Sequence, residues 1–256
     1  MITDPALDNY SLQGMLNSPR RKDRQRQALI GISDHLEHYP DTFVSFSGGK
    51  DSAAVVSLAT SIYPQIPVCF FDSGLELPEN VDYIHSLAES MDLNLHVIKA
   101  KALDWLEDTG WFNHYAGWLD PKASLNDVKI QFPSEEAHSK HGQGRLWGLR
   151  ADESKGRSAL LLPHKGVTRY QSGQIAYAPL WNWNAEEVQS YLSRNRIPKN
   201  PVYTKLTELG VPQKEQRVGA AFDSGLDFGR MTWLKRGWPH IYARLLEHLP
   251  RLEEYR

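Results

Sequence analysis

The chain is poor in cysteine: among its 256 residues only Cys69 carries a thiol. A single thiol excludes an internal disulfide. It also excludes an iron–sulfur cluster or a structural zinc site that draws several thiolates from this chain. The sequence lacks a charge excess as well. Its 29 Lys and Arg against 31 Asp and Glu leave a formal net charge of −2, so the molecule as a whole is no polycation and any nucleic-acid contact must be local. No apolar stretch approaches the roughly 20 residues of a membrane span. The opening MITDPALDNYSLQG is polar, without the apolar region of a secretory signal. These absences set the expectation of a cytoplasmic protein with no membrane partner. What is present suits a soluble globular fold, with 41% hydrophobic and 23% charged residues, expected as a single domain over 1–256.

Residues 1–40 read as a helical, polar extension whose basic run RRKDRQRQAL (20–29) is a solvated helix face or a contact for a phosphate backbone or partner. Two runs follow, TFVSFS (42–47) and IPVCFFD (66–72), near-continuously apolar and bounded by turn residues, as in strands buried on both faces. Between them AAVVSLATSIY (53–63) has the length of a covering helix. ENVDYIHSLAESM (79–91) is amphipathic at helical spacing, with Val81, Ile84, Leu87, Ala88 and Met91 on one side. LNLHVIKA (93–100) reads as a third strand, RLWGLR (145–150) as a fourth and IAYAPL (175–180) as a fifth. NAEEVQSYLSRN (184–195) opens with an asparagine cap and acidic first-turn residues, a helix start. This β-α-β rhythm argues for an α/β fold with an open, mostly parallel sheet. The core is expected over 41–200, with an irregular, Trp- and His-rich insertion at 101–144 and a helical tail over 201–256.

The first strand and helix enclose S-G-G-K-D-S, residues 47–52. A Walker A loop needs G-x-x-x-x-G-K-[ST], and no glycine stands at the required upstream place. The position still favours an anion. The first amides of a helix lack intrahelical partners and, with the helix dipole, attract negative charge. Gly48 and Gly49 let the backbone approach a phosphate closely. Ser47 and Ser52 add hydroxyls, and Lys50 adds a cation. Asp51 is odd beside phosphates, and it becomes sensible if Mg²⁺ lies between them.

S-G-G-K-D-S after a strand resembles the PP-loop of the ATP pyrophosphatases, and among these the phosphoadenosine phosphosulfate (PAPS) reductase family. FDSGLELPE (71–79) is similar to that family's Asp-Thr-Gly…Pro-Glu-Thr motif, with Ser73 for threonine and Asn80 after Pro78-Glu79. WGLRADESKGR (147–157) and APLWNWNAEEVQSYLSRNRIPKNPVY (178–203) resemble its later blocks, with Val202 for a leucine. The resemblance implies an adenine nucleotide alpha-hydrolase-like fold, a five-stranded sheet of order 3-2-1-4-5 with helices on both faces. Strands one and four then flank the reversal of strand order, where ligands bind. Arg150 is thereby expected beside the 47–52 loop, although about 100 residues separate them. A guanidinium there could hold a phosphate in a bidentate contact.

The expected catalytic residues are Lys50, Asp51 and Arg150, with Asp51 also the Mg²⁺ ligand. The expected nucleotide contacts are Ser45, Ser47, Gly48, Gly49, Lys50, Asp51, Ser52, Asp72, Ser73, Gly74, Gly148, Arg150 and Arg157. For several of these a plainer role stands alongside. Asp72 takes ribose hydroxyls or forms a turn before Gly74. Arg157 and Lys155 add positive charge or are solvated. Phe46 packs the core or borders an adenine.

PAPS reductases work through a catalytic cysteine in a Glu-Cys-Gly-Leu-His motif, and iron–sulfur relatives carry cysteine pairs. This chain has neither, and Cys69 lies inside an apolar strand, where it acts as a small hydrophobe. The resemblance then implies the other half of the superfamily's chemistry: ATP with Mg²⁺, cleavage between the α- and β-phosphates, and adenylation of an acceptor. Cysteine-poor members of this kind stand beside cysteine desulfurases in DNA phosphorothioation. The expected partners are an adenine nucleotide, a cysteine desulfurase or other sulfur donor, a nucleic-acid substrate and a second copy of the chain. Two alternatives stay open: a PAPS- or adenylyl-sulfate-using enzyme that needs an external thiol, and a non-catalytic nucleotide-sensing subunit.

Three further stretches read as structural first. EEAHSKH (135–141) spaces His138 and His141 like a partial zinc set, and a solvated helix or loop explains it better. DWLEDTGWFNHYAGW (104–118) is the small core of a lid or a base-stacking surface. KRGWPHIYARLLEHLPRLEEYR (235–256) packs a last helix on the body, or meets a partner.

Overall fold

The computed structural model describes residues 19–109, 124–219 and 230–254. Helix α1 (Pro19–His38) carries the basic run. It buries Ala28, Ile32 and His35, one stripe at helical spacing. Strand β1 (Thr42–Ser45) leads through the glycine loop into α2 (Lys50–Ile62). Ser52, Ala53, Ala54, Val55, Val56, Leu58 and Ala59 of α2 are all buried. Small side chains nearly all round let a helix be covered on every side. Next come β2 (Val68–Asp72), α3 (Pro78–Ser90) and β3 (Leu95–Lys99). Pro78 opens α3, where its missing N–H costs nothing.

The segment 101–144, expected to be irregular, is helical over much of its described part. It holds α4 (Ala102–Thr109), a π-helical turn (Asp127–Gln131) and α5 (Phe132–His141). Most of the aromatic stretch 104–118 lies outside the described residues. EEAHSKH is a helix, as expected, and exposes Glu135, Glu136, Ser139 and Lys140, but Ala137 and His138 are buried and His141 lies against Phe43 with ring centroids 6.4 Å apart.

Strand β4 (Gly144–Leu146) is followed by a 3-10 turn at Ala151–Glu153 and by α6 (Lys155–Leu161). Then come β5 (Val167–Arg169), β6 (Ile175–Tyr177) and α7 (Ala185–Arg194). The asparagine cap is as expected: the Asn184 side chain accepts from Glu187 N, and the Glu187 carboxylate accepts from Asn184 N. The last helices are α8 (Pro201–Glu208), α9 (Arg230–Gly237) and α10 (Pro239–His248).

The fold is α/β, with an open, mostly parallel sheet flanked by helices. The sheet has six strands, in the order β3-β2-β1-β4-β6-β5. The expected order 3-2-1-4-5 survives, its fifth strand being β6. Pairing is parallel for β1 with β4 and for β4 with β6. The sixth strand, β5, is an antiparallel edge. Three residues, VTR, are too few to show a strand period. A turn closed by Gly173 at φ +88 folds β5 onto β6.

The described residues form two compact units. One comprises the residues up to Phe46, with Lys50–Val68 and His141–Pro198. Within it α2 lies against α1 and α7, and Ser57 Oγ meets Tyr191 Oη at 2.9 Å. The other comprises Ser47–Gly49, Cys69–Lys140 and Lys199–Arg256. Its core joins Leu75, Leu106, Leu206, Trp238, Tyr242 and Leu252. The C-terminal helices thus serve as core packing. Burying each such side chain fully contributes about 1.5–3 kcal/mol. No described helix is long and apolar enough to cross a membrane.

Candidate nucleotide-binding loop

The first half of the loop, Ser47–Gly49, is held by two buried asparagines. Asn80 and Asn200 are 0% and 2% exposed. Asn80 Nδ2 donates to Ser47 O at 3.2 Å and Asn200 Nδ2 to Gly48 O at 3.0 Å. The two amides are joined by a 2.7 Å bond from Asn200 Nδ2 to Asn80 Oδ1. Gly48 has φ +78, and a Cβ there would fall on Asn80 Oδ1. The glycine is therefore required by backbone conformation and by the asparagine, before any ligand is considered. Gly49 is different: the nearest atoms to an added Cβ are Ser47 Oγ at 3.5 Å and Tyr203 Oη at 3.6 Å.

The second half starts α2, where Asp51 is the acidic residue of the first turn, favourable to the helix dipole. Its Oδ2 accepts from Lys50 Nζ at 2.7 Å, and its Oδ1 accepts from Arg150 Nε at 2.6 Å. The expected meeting of this loop with Arg150 is thus present, across 99 residues of sequence. Its cause is the parallel register of β1 and β4, which sets Val44 opposite Leu146. Gly148 completes it. A Cβ at this position would meet Ser52 N at 2.6 Å and the Asp51 carbonyl carbon at 2.8 Å, so only glycine lets the chain after β4 pass so near the first turn of α2.

Arg150 is 4% exposed. Burial lowers its pKa, but Asp51, Asp152 and Glu153 outweigh this and hold it above its ordinary value. Its Nη1 donates to Asp152 Oδ1. Glu153 accepts from Arg150 N at 3.0 Å and pairs with Arg157. Arg157, on α6, is therefore tied to the Arg150 segment through Glu153.

The other expected contacts are placed as follows. Ser45 Oγ accepts from Arg145 Nε at 2.7 Å, and the Arg145 guanidinium lies 4.9 Å from the Trp147 ring centroid. Asp72 Oδ1 accepts from Gly74 N at 2.9 Å, the turn-forming arrangement, and Gly74 has φ +76. Ser73 is 1% exposed and donates to Glu76 Oε1 at 2.8 Å. Ser52 is buried in the first turn of α2. Phe46 is 2% exposed and belongs to the core. Sequence reasoning missed Arg145, Asp152, Glu153, Asn80 and Asn200. Asn200 carried a signal, as a polar residue before the Pro201 that opens a helix; Arg145, Asp152, Glu153 and Asn80 stood inside the quoted strand and blocks with no local feature that marks a role.

As a Mg²⁺ ligand, Asp51 does not fit this arrangement. Both oxygens already face cations, and a divalent ion there would stand against Lys50 and Arg150. Among the described residues no group of three or more His, Cys, Asp or Glu could hold a metal. The chemistry the residues do offer is anion recognition, through two cations at a helix N-terminus and a glycine loop before it.

An open α/β sheet whose first strand runs through such a loop into a helix is the architecture of the PP-loop nucleotide-binding enzymes. Within that class the chain belongs to the phosphoadenosine phosphosulfate reductase domain family, whose profile matches residues 41–221. It is 29% identical over 182 residues to the phosphoadenosine 5'-phosphosulfate reductase of Proteus mirabilis, covering 70% of this chain and 72% of the relative. Its fold is similar to that of the phosphoadenylyl-sulfate (PAPS) reductase of Candida auris, solved as a phosphate complex. There the TM-score is 0.54 at 18% identity, with 86% of this chain and 97% of the other covered. Yeast FAD synthetase, solved with FAD, shares the fold with a TM-score of 0.54 at 13% identity, over 90% of this chain and 81% of that one.

Proposed function

We propose that the protein is an adenine-nucleotide enzyme that cleaves ATP between its α- and β-phosphates and passes the adenylyl group to an acceptor. The carrying observation is the placing of Lys50, Asp51 and Arg150 at the start of α2, directly after the Gly48–Gly49 turn. In this reading an oxygen of the acceptor attacks the α-phosphorus. The bond to the bridging oxygen breaks, and pyrophosphate leaves with the electron pair. Lys50 and Arg150, held at the start of α2 by Asp51, also reach phosphate oxygens and neutralise the charge that builds on the leaving group. Loop amides hold the remaining oxygens. Mg²⁺ enters as an ion carried on the nucleotide's own phosphates.

This chemistry needs no protein nucleophile. Cys69, the one thiol, is 1% exposed. An adenylated acceptor is ready for displacement by sulfur from another protein, as in sulfur insertion into a DNA backbone phosphate with a cysteine desulfurase as donor. A second reading has its own support, in the family match and the name of the Proteus relative: the loop takes PAPS, and an external thiol supplies the electrons.

Calorimetric titration of the full chain with ATP and with PAPS, with and without Mg²⁺, separates the two. Product analysis then decides the bond cleaved. AMP and pyrophosphate are expected. ADP and orthophosphate would overturn the leading reading, and tight PAPS binding with no response to ATP would favour the second. Nucleotide binding without turnover in the presence of DNA and a cysteine desulfurase would favour the sensing role.

A further inference from the structure

Two of the residues that sequence reasoning missed, Asn80 and Asn200, are buried under the loop. Asn200 is fixed in orientation. Its Oδ1 caps α8 by accepting from Val202 N at 3.0 Å, so its Nδ2 must face Gly48 O and Asn80 Oδ1. The reverse orientation would set oxygen against oxygen at Gly48 and nitrogen against the Val202 N–H. That in turn fixes Asn80, whose Oδ1 accepts from Asn200 and whose Nδ2 donates to Ser47 O. The pair is a directed chain of amides, from Val202 N–H to Asn200, from Asn200 to Asn80, and from Asn80 to Ser47 O. It turns two consecutive loop carbonyls, those of Ser47 and Gly48, toward the buried pair.

A trans peptide carries its N–H opposite its C=O, and no described peptide bond is cis. With the Ser47 and Gly48 carbonyls drawn inward, the N–H groups of Gly48 and Gly49 are directed away from the pair. Consecutive amides directed in this way make an anion-binding concavity.

We propose that Asn80 and Asn200 are positioning residues that set the amide face of the 47–49 loop for phosphate. They act through the backbone and touch no ligand. The inference rests on the reading of that loop as a phosphate cradle. It also explains why Gly48 is glycine: a Cβ would displace Asn80 from its place under the loop.

Asn200→Asp replaces the Nδ2 donor with an oxygen that repels Gly48 O and Asn80 Oδ1. Asn80→Leu removes donor and acceptor and keeps the volume; it also leaves the α8 cap intact, should the first variant fail to fold. The probes are inorganic pyrophosphate and ATP, titrated into the full chain, with melting curves run in parallel. Both variants are expected to bind at least tenfold more weakly at pH 8 while still folded. Acid should restore the first variant, because a protonated carboxyl regains a donor toward Gly48 O, and it should leave Asn80→Leu unrestored. Folded variants that bind like the wild type, with only the melting temperature lowered, would reduce the asparagines to scaffold and overturn the proposal. A wild-type chain that binds neither pyrophosphate, ATP nor PAPS would overturn the cradle reading and this inference together.

Discussion

Replacing Asp51 with alanine should do two opposite things. In the folded chain Asp51 separates two cations, accepting from Lys50 Nζ at 2.7 Å and from Arg150 Nε at 2.6 Å. The Arg150 side chain is only 5% exposed and keeps Asp152 as a partner. Breaking a fully buried pair costs about 3–5 kcal/mol. With one partner left, about 2 kcal/mol is expected, which for a chain of this size lowers the melting temperature by about 4–8 °C. Affinity for an anion should move the other way. A phosphate held at the N-terminus of α2, about 6 Å from the carboxylate at an effective dielectric of about 20, is repelled by about 3 kcal/mol. Screening leaves part of that, and a tenfold gain needs only about 1.4 kcal/mol. Asp51→Ala should therefore melt earlier yet bind pyrophosphate at least tenfold more tightly in metal-free buffer. The assay is calorimetric titration with EDTA present, with melting followed by circular dichroism. On the proposed function, nucleotide turnover should fall even though binding improves, because Lys50 and Arg150 lose the carboxylate that positions them. Weaker pyrophosphate binding by a folded Asp51→Ala chain would refute the charge reasoning and mean that the carboxylate assists anion binding.

Four further outcomes are expected. Gly148→Ala sets a Cβ 2.6 Å from the Ser52 backbone nitrogen; it should cost about 1–3 kcal/mol and weaken nucleotide binding. Gly49→Ala, with nothing nearer than 3.5 Å, should melt like the wild type and lose affinity only through ligand approach; unchanged affinity would remove Gly49 from the site. His35 is buried, and desolvation, with the neighbouring His38 charge, lowers its pKa from 6.5 to about 4. The unfolded chain thus takes up a proton first, and this contribution to stability is complete above about pH 6.5 and lost toward about pH 4, up to about 3 kcal/mol. His35→Phe keeps a ring beside Tyr39 and Tyr177 and should flatten that part of the stability profile; an unchanged slope would place the acid sensitivity elsewhere. Cys69 should resist thiol reagents until the chain unfolds, and Cys69→Ala should retain nucleotide turnover at a stability cost of about 1 kcal/mol. Loss of turnover in a folded Cys69→Ala chain would restore a redox role for the thiol.

Much of the fold was legible in local residue patterns. Near-continuous apolar runs at 42–47 and 66–72 marked central strands, because a strand covered on both faces shows no polar alternation. S-G-G-K-D-S between a strand and a helix marked the anion loop, because glycine freedom and open helix amides are local properties. The asparagine cap at 184 was legible for the same reason. β5 was not, since three residues carry no period and their pairing with β6 is made by a turn. The direction of the Asp51 carboxylate was not legible either. Its neighbours suggested a metal, and only the register of β1 against β4, with the close pass at Gly148, brings Arg150 to it and turns the acid into the partner of two cations. Asn80 and Asn200 were least legible. They are 120 residues apart in sequence, and an amide becomes a clamp only when folding buries it beside the one carbonyl it must hold. Local chemistry named the loop; long-range packing decided what orients it and what balances its charge.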